Sequence, residues 1–461
     1  MQPQATALSP GAEDEMKHGW FPVMALLVIA PRTVVAQGTV KLTVDEAVER
    51  ALAHGLEMAE ARAEVDAAEA DHWAAKALYG PRVIVEGRAL YFNERPTIDL
   101  DLGMDTTGSP LWMQQAIGSI LPDGPMEAGE QYNVDLRVTL AQPLTKLEAI
   151  SELSDIKGIE VEVARVQEEK AAADLAYQVR EAAYQLLKIR DGISALEETE
   201  REVLARQKQV EAFRTAELVG PQEVLEVGVK LAELRQGLIK TRAYETVAAS
   251  RLRILLRLDP DASVEVAAPE APTAMPALRE CVESAHGHRP EVAELRLRVE
   301  QARAGVRAKL QEFTPDVNLV AVYQYQAGTS IGQPELAAGA VLNWTPFAWG
   351  ETYYAAKHLQ AKLRRGQLAL ERVEALIGLD VERAYAEAEA ARQAIEVAAA
   401  QVTQAEELYR IEQARFEVHD NTATDLLAAQ TSLLRARNAL TGTRYDYLIA
   451  LADLQRATGQ R

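Results

Sequence analysis

The spacing of apolar positions alternates between a period near 3.6 and a period of 2, and does so in the same order in each half of the chain. A helical period covers residues 44–79 and returns over 276–313. Asp45 and Glu46 stand at the start of the first segment, where carboxylates favour the helix dipole. Pro81 and Pro315 stop the two segments at matching positions. The period then shortens, predicting strands at about 82–92, 132–142, 316–325 and 336–345. One face of the second strand is Tyr132, Val134, Leu136, Val138 and Leu140, opposed by Asn133, Asp135, Arg137 and Thr139. Val317, Leu319, Ala321, Tyr323 and Tyr325 oppose Asn318 and Gln324; Leu336, Ala338, Ala340, Leu342 and Trp344 oppose Gly339 and Asn343. The first strand follows more loosely, with Glu86 and Arg88 set against Val85, Ala89 and Tyr91. Segments of ~10 residues with one apolar face suit a membrane barrel. They suit a soluble antiparallel sheet covered by helices equally well. Aromatic residues near the strand ends (Tyr91, Phe92, Tyr132, Trp344, Phe347, Trp349) resemble an interfacial girdle and tilt the balance to the membrane. Open sheet edges in lipid leave backbone groups unpaired, so four spanning strands would need several subunits to share one barrel.

Between and after these strands lie two proline-free stretches, 147–218 and 351–418. Each would make a helix ~100 Å long at ~1.5 Å per residue. Leu175, Val179, Ala183, Leu186 and Ile189 step by three and four, and Leu426, Leu433, Leu434, Leu440, Tyr447 and Leu451 do much the same. This is coiled-coil-like spacing. The two halves also match residue by residue. Glu46 falls on Glu280, Val48 on Val282, His54 on His288, Glu57 on Glu291, Pro81 on Pro315 and Tyr91 on Tyr325. Later, Leu231 falls on Leu433, Arg235 on Arg437 and Thr241-Arg242 on Thr443-Arg444. The expected organisation is a tandem repeat of helix, strand, strand, helix, helix. The first copy covers 42–259, a linker covers 260–275, and the second copy covers 276–459. Two such long copies are not a solenoid.

Composition narrows the function. Hydrophobic residues make up 48% but aromatics only 5%, which suits close helix packing more than a large globular core. A net charge of −20 argues against nucleic acid as a partner and fits a cation-favouring lumen. The single cysteine, Cys281, excludes an internal disulfide and a thiolate metal cage. Residues 1–36 read as an N-terminal extension and signal peptide: Met16 as the true start, an apolar run from Trp20 to Ala30, and cleavage after Ala36. No later segment reaches the ~18 apolar residues of a membrane helix. His54 and His288 hold repeat-equivalent places and are expected in helix-start turns rather than at a metal. No phosphate-cradling loop or nucleophile elbow is present. No catalytic activity, cofactor or metal is expected.

The run from Arg415 to Thr431, with Arg415-Phe416, Thr422, Asp425-Leu426-Leu427 and Ala429-Gln430, resembles the helix-tip signature of the TolC family of outer-membrane factors. Arg444-Tyr445-Asp446-Tyr447-Leu448, Trp344-Thr345-Pro346-Phe347-Ala348-Trp349-Gly350 and Gln142-Pro143-Leu144 also resemble the family, in the right order. The resemblance implies a fold that is mainly α with transmembrane β. A homotrimer would share a twelve-stranded outer-membrane barrel and a long periplasmic helical tunnel. It implies passive conduction in a tripartite efflux pump or a type I secretion system, with an inner-membrane pump, a periplasmic adaptor and outer-membrane lipid as partners. The loop 93–131 would be extracellular, either folded over the pore or disordered. The inner tunnel end would lie at two helix turns. There Asp425 matches the family's aspartate and Glu223 is its first-repeat counterpart, with Glu226 one helical turn on; these would set ion selectivity. Gly220, Pro221, His419, Asp420, Asn421 and Thr422 would form the adaptor and gating region. A second family acid is Ala428 here, and the family's basic residue is Asn421. Asp425 also stands at capping-box spacing from Thr422, which would explain it without a pore. The competing reading is a periplasmic coiled-coil spacer that conducts nothing.

Overall fold

The computed structural model describes residues 40–98, 108–120, 126–127, 129–267, 275–329, 334–418 and 420–460, all within the unit Thr39–Arg461. The proposed signal peptide and His419 lie outside the described residues. In chain order the elements are β1 (Val40–Leu42), α1 (Val44–His54), α2 (Leu56–Ala77), β2 (Arg82–Tyr91), β3 (Thr97–Ile98), α3 (Leu111–Ile120), β4 (Met126–Glu127) and β5 (Gly129–Pro143). There follow α4 (Leu147–Thr215), α5 (Pro221–Leu255), β6 (Val264–Val266), α6 (Leu278–His288), α7 (Pro290–Leu310), β7 (Asp316–Thr329), β8 (Glu335–Asn343), α8 (Glu351–Glu417) and α9 (Ala423–Ala457).

Each helix expected at the head of a copy is two helices, not one. Gly55 is extended (φ −58°, ψ 146°), and its N–H reaches back to the Ala51 carbonyl at 2.6 Å. A Cβ at Gly55 would lie 2.5 Å from that oxygen, so the close approach requires glycine. In the second copy the break is Arg289 (φ −70°, ψ 121°), which the ring of Pro290 pushes out of the helical region. His54 and His288 therefore end helices instead of starting them. The long helices are continuous, 69 residues in α4 and 67 in α8. Two small features besides the short β3–β4 pair are among those with no counterpart in the sequence reading. One is the parallel pair β1–β6, with Val40 opposite Val264; the other is α3, inside the 93–131 loop.

The four main strands form one antiparallel sheet, ordered β2-β5-β7-β8. Its register lines up the apolar faces read from the sequence. Val85 pairs with Val138 and Val138 with Tyr323; Leu140 pairs with Ala321 and Ala321 with Ala338. Among the described residues, no helix covers either face of the margin strands: all ten residues of β2 and all nine of β8 are exposed. A soluble sheet hidden under helices is thereby excluded.

The longer helices pack side by side, with α1 added on α4 and α6 on α8. Beside the sheet, α2 packs on α4, α4 on α7, and α7 on α8; farther away, α5 packs on α4, α4 on α9, and α9 on α8. Cross-helix ion pairs line these seams, such as Lys157–Asp71 at 2.8 Å between α4 and α2, and Arg242–Glu197 at 2.7 Å between α5 and α4. The core is concentrated in clusters. The largest gathers Val44, Val48, Leu175, Val179, Ala183, Leu186, Leu252, Leu256, Val264 and Val266, so the three-and-four spacing of α4 faces α1, the end of α5 and the β1–β6 pair. Each large aliphatic side chain buried there contributes about 1.5–3 kcal/mol. A second cluster sits at the far end, built on Val203, Val210, Val227, Leu231, Phe416, Leu426 and Leu427.

Candidate functional site

Two regions carry the chemistry, the helix tips and the exposed sheet. At the tips, α4 turns into α5 and α8 into α9. In the first turn, Glu217 adopts a left-handed conformation (φ 59°), and the Leu218 N–H closes onto the Phe213 carbonyl at 2.9 Å. Gly220 precedes Pro221, which occupies the first helical position, where its missing N–H costs nothing. In the second turn, Thr422 and Asp425 form a reciprocal capping box. The Asp425 carboxylate accepts from the Thr422 N–H at 3.1 Å and from its hydroxyl at 2.7 Å, while the Asp425 N–H donates to Thr422 Oγ1 at 3.3 Å. These hydrogen bonds hold the Asp425 carboxyl below the usual aspartate range. Its helix-capping role is therefore real, and it leaves the exposed carboxylate ionised.

The structure brings Glu226 to the same corner, where its carboxylate accepts from the Thr424 hydroxyl. Both line a groove between α5 and α9 with Leu225, Val229, Leu427 and Ala428. Glu223 is half-buried and, among the described residues, has no hydrogen-bonded or ionic partner. Asn421 does not point at a gating partner. Its amide donates back to Glu412, at 3.0 Å to the carbonyl and 2.5 Å to the carboxylate. Asp420 pairs with Arg415 at 3.2 Å. Asn421 and Asp420 thus tie the turn to the last part of α8, a role that residue type alone did not reveal. Phe213 and Phe416, one from each long helix, meet beneath the turns with ring centroids 6.1 Å apart.

The sheet divides into two chemistries. Val83, Val85, Ala89 and Tyr91 continue across the register into Tyr132 to Leu140, Val317 to Tyr325 and Leu336 to Leu342 as an uninterrupted apolar face. The other face carries Glu86, Arg88, Asp135, Arg137 and Gln324. At the β8–α8 turn, Trp349 (φ 49°, 89% exposed) and Phe347 meet at a tilt with centroids 5.1 Å apart, and the Trp344 indole donates to the Phe313 carbonyl at 3.3 Å. An exposed aromatic cluster at the end of an apolar sheet face is the pattern of a membrane boundary.

The sequence profile of the outer membrane efflux protein family matches residues 281–460. The match falls on the second copy, from α6 to the end of α9. No curated protein matches the chain in sequence. The efflux-protein fold extends well beyond the profile match. The outer membrane channel CmeC of Campylobacter jejuni superposes with a TM-score of 0.72 at 14% identity, covering 90% of this chain and 85% of that one. The outer membrane protein VceC of Vibrio cholerae does so with 0.72 at 18% identity, covering 90% and 96%. The MtrE outer membrane channel of Neisseria gonorrhoeae, solved in its open state, gives 0.68 at 15%, covering 90% and 89%. The mainly helical architecture with a strand layer is the one these channels have, and the resemblance to TolC-type factors agrees with it.

Proposed function

We propose that this chain is one subunit of a trimeric outer-membrane exit duct, passively conducting solutes handed over by an inner-membrane pump through a periplasmic adaptor. One observation carries the reading: the strand layer and the helix layer are open along the same two margins. The sheet ends at β2 and β8; the helix layer ends at α2 and α5 on one side and at α8 on the other. Those helical margins carry Leu225, Val229, Ile239, Val247, Ile254, Leu379, Val397 and Val418, each 61–73% exposed, a load of apolar surface that a free monomer would not carry in water. Unpaired strand edges beside an apolar face point the same way, because a spanning sheet must close. If each subunit supplies four strands, three copies make a twelve-stranded barrel wide enough for a water-filled lumen.

In this arrangement the apolar face meets outer-membrane lipid and the helices project into the periplasm. Asp425, Glu223 and Glu226 ring the inner end and favour cations there, and the turns around Gly220, Pro221, Asp420, Asn421 and Thr422 receive the adaptor. Efflux of small molecules and type I secretion both use a duct of this kind. The test is the mass and conductance of the detergent-extracted protein. A trimer giving discrete steps in a planar bilayer supports the duct, and a monomer soluble without detergent overturns it. Asp425→Asn in a salt gradient should then move the reversal potential away from cation preference; an unmoved potential removes Asp425 from the aperture.

A further inference from the structure

The polar face of the sheet is not uniformly polar. Near the helices it is lined mostly by short, uncharged side chains, Ile84, Thr139, Ala141, Val320, Val322, Ala337, Gly339 and Val341, with Arg82 beside Ala141 at the start of β2 and Asn318 beside Val341. Toward the far end it changes abruptly. Glu86, Arg137, Gln324 and Glu335 lie in one register row across all four strands, and Arg88, Asp135 and Gln326 form the next. Apart from Arg82 at the first position of β2, the charged side chains between the strand ends of this face fall in these two rows. They are also linked: Arg137 donates to Gln324 Oε1 at 3.3 Å, Gln324 donates to Asp135 Oδ1 at 3.1 Å, and the Arg88 guanidinium lies 3.6 Å from Asp135. The network covers Asp135, whose side chain is only 14% exposed although the sheet lies open. Glu86 and Glu335 have no hydrogen-bonded or ionic partner among the described residues, and each sits on a margin strand.

We propose that these two rows form a charged belt inside the barrel, a second selectivity element that discriminates by charge at the exit and acts independently of the helix tips. The inference rests on the duct reading, since the polar face must line a lumen. A barrel keeps one backbone radius along its length, so the rows with the longest side chains make its narrowest ring. Arg88 and Asp135 neutralise one another, and Arg137, held by the uncharged Gln324, offsets one of the carboxylates of Glu86 and Glu335, so the two rows keep a net negative charge in every copy. Each seam between copies joins a β2 to a β8, so every seam brings two strands bearing such a carboxylate. Charges of one sign in a confined aqueous channel concentrate counter-ions. Screening at physiological salt acts over ~8 Å, whereas the tips lie roughly 100 Å away along α4. The two elements therefore cannot substitute for one another.

The test uses the full-length trimer in planar bilayers under a potassium chloride gradient. Glu86→Gln with Glu335→Gln should lower the cation-to-anion permeability ratio about threefold, the effect of a local potential change near one kT. Arg88→Gln with Arg137→Gln should raise it. As a check that does not depend on the folding of those variants, Glu335→Cys is made with Cys281, which is buried, left in place. A negatively charged thiosulfonate added to the open channel should restore the wild-type ratio, and a positively charged one should lower it further. Wild-type steps with ratios unchanged in every variant would overturn the belt and leave the duct standing. A wild-type trimer that never conducts would overturn both.

Discussion

Arg289 offers a sharp test of how the second helix break is held. Its side chain is almost fully buried at the junction of α6 and α7. Nε donates to the Ala457 carbonyl at 2.8 Å, Nη2 donates to Asp380, and Nη1 lies 3.6 Å from Glu291. Arg289→Met keeps the apolar stem and removes all three polar contacts. Breaking a buried ion pair costs about 3–5 kcal/mol. Asp380 retains Arg383 at 3.1 Å and is partly exposed, so the expected loss is at the lower end, about 3 kcal/mol. That raises the population of local opening roughly a hundredfold. Hydrogen exchange followed by mass spectrometry reads this directly: amides of α6, the start of α7 and the end of α9 should lose about two decades of protection. The equivalent break at Gly55 is closed by backbone approach, with the exposed Arg62 donating to the Leu52 carbonyl at 3.0 Å and no buried ion pair of the Arg289 kind, so it serves as an internal control. Unchanged protection around Arg289, or an equal loss around Gly55, would refute the reasoning.

Lowering the pH should loosen the same junction. Burial pushes the Asp380 carboxyl up, but hydrogen bonds from Arg289 and Arg383 more than offset this and hold it below the ordinary aspartate value. Its stabilisation is therefore complete above the unfolded value of about 4 and disappears as pH falls through the folded one. Exchange corrected for intrinsic rate should quicken below about pH 4 in the wild type and not in Asp380→Asn. Thr422→Ala removes the hydroxyl half of the capping box and should cost about 1 kcal/mol at the start of α9, seen as faster exchange over residues 423–427. The two sheet faces should respond oppositely to charge. On the duct reading, Val85→Arg on the apolar face near mid-strand should cost about 2–4 kcal/mol and reduce the amount of the proposed trimer recovered in detergent. Thr139→Arg, on the polar face, should assemble normally; equal damage from both would mean the faces are misassigned.

The strands and their faces were legible because a period of 2 is a local signal that the register then reproduces across 316–325 and 336–345. The long helices were legible because nothing in α4 or α8 interrupts them. The breaks at Gly55 and Arg289 were marked in the sequence, by a glycine and by an X-Pro step, but a single extended residue hardly disturbs the apolar spacing on either side. The β1–β6 pair was invisible because each strand has three residues and Val40 must find Val264 across most of a repeat. At the tips, the spacing of Thr422 and Asp425 announced the capping box. The return of Asn421 to Glu412 depends on how α8 ends, which composition does not encode.

The β5–β7 seam has a consequence for the chain's birth. Its contacts join residues far apart in the chain, such as Asp135 and Gln324, 189 positions along the sequence. At typical synthesis rates the hairpin β2–β5 exists for roughly 10–40 s before its neighbour is made. Throughout that interval an apolar two-stranded ribbon has an unoccupied edge, while the i→i−4 bonds of α4 form as soon as that segment emerges. Helices of the first copy first and the β5–β7 seam later is thus an order imposed by connectivity. The most aggregation-prone surface of the molecule is also the one that waits longest for its partner.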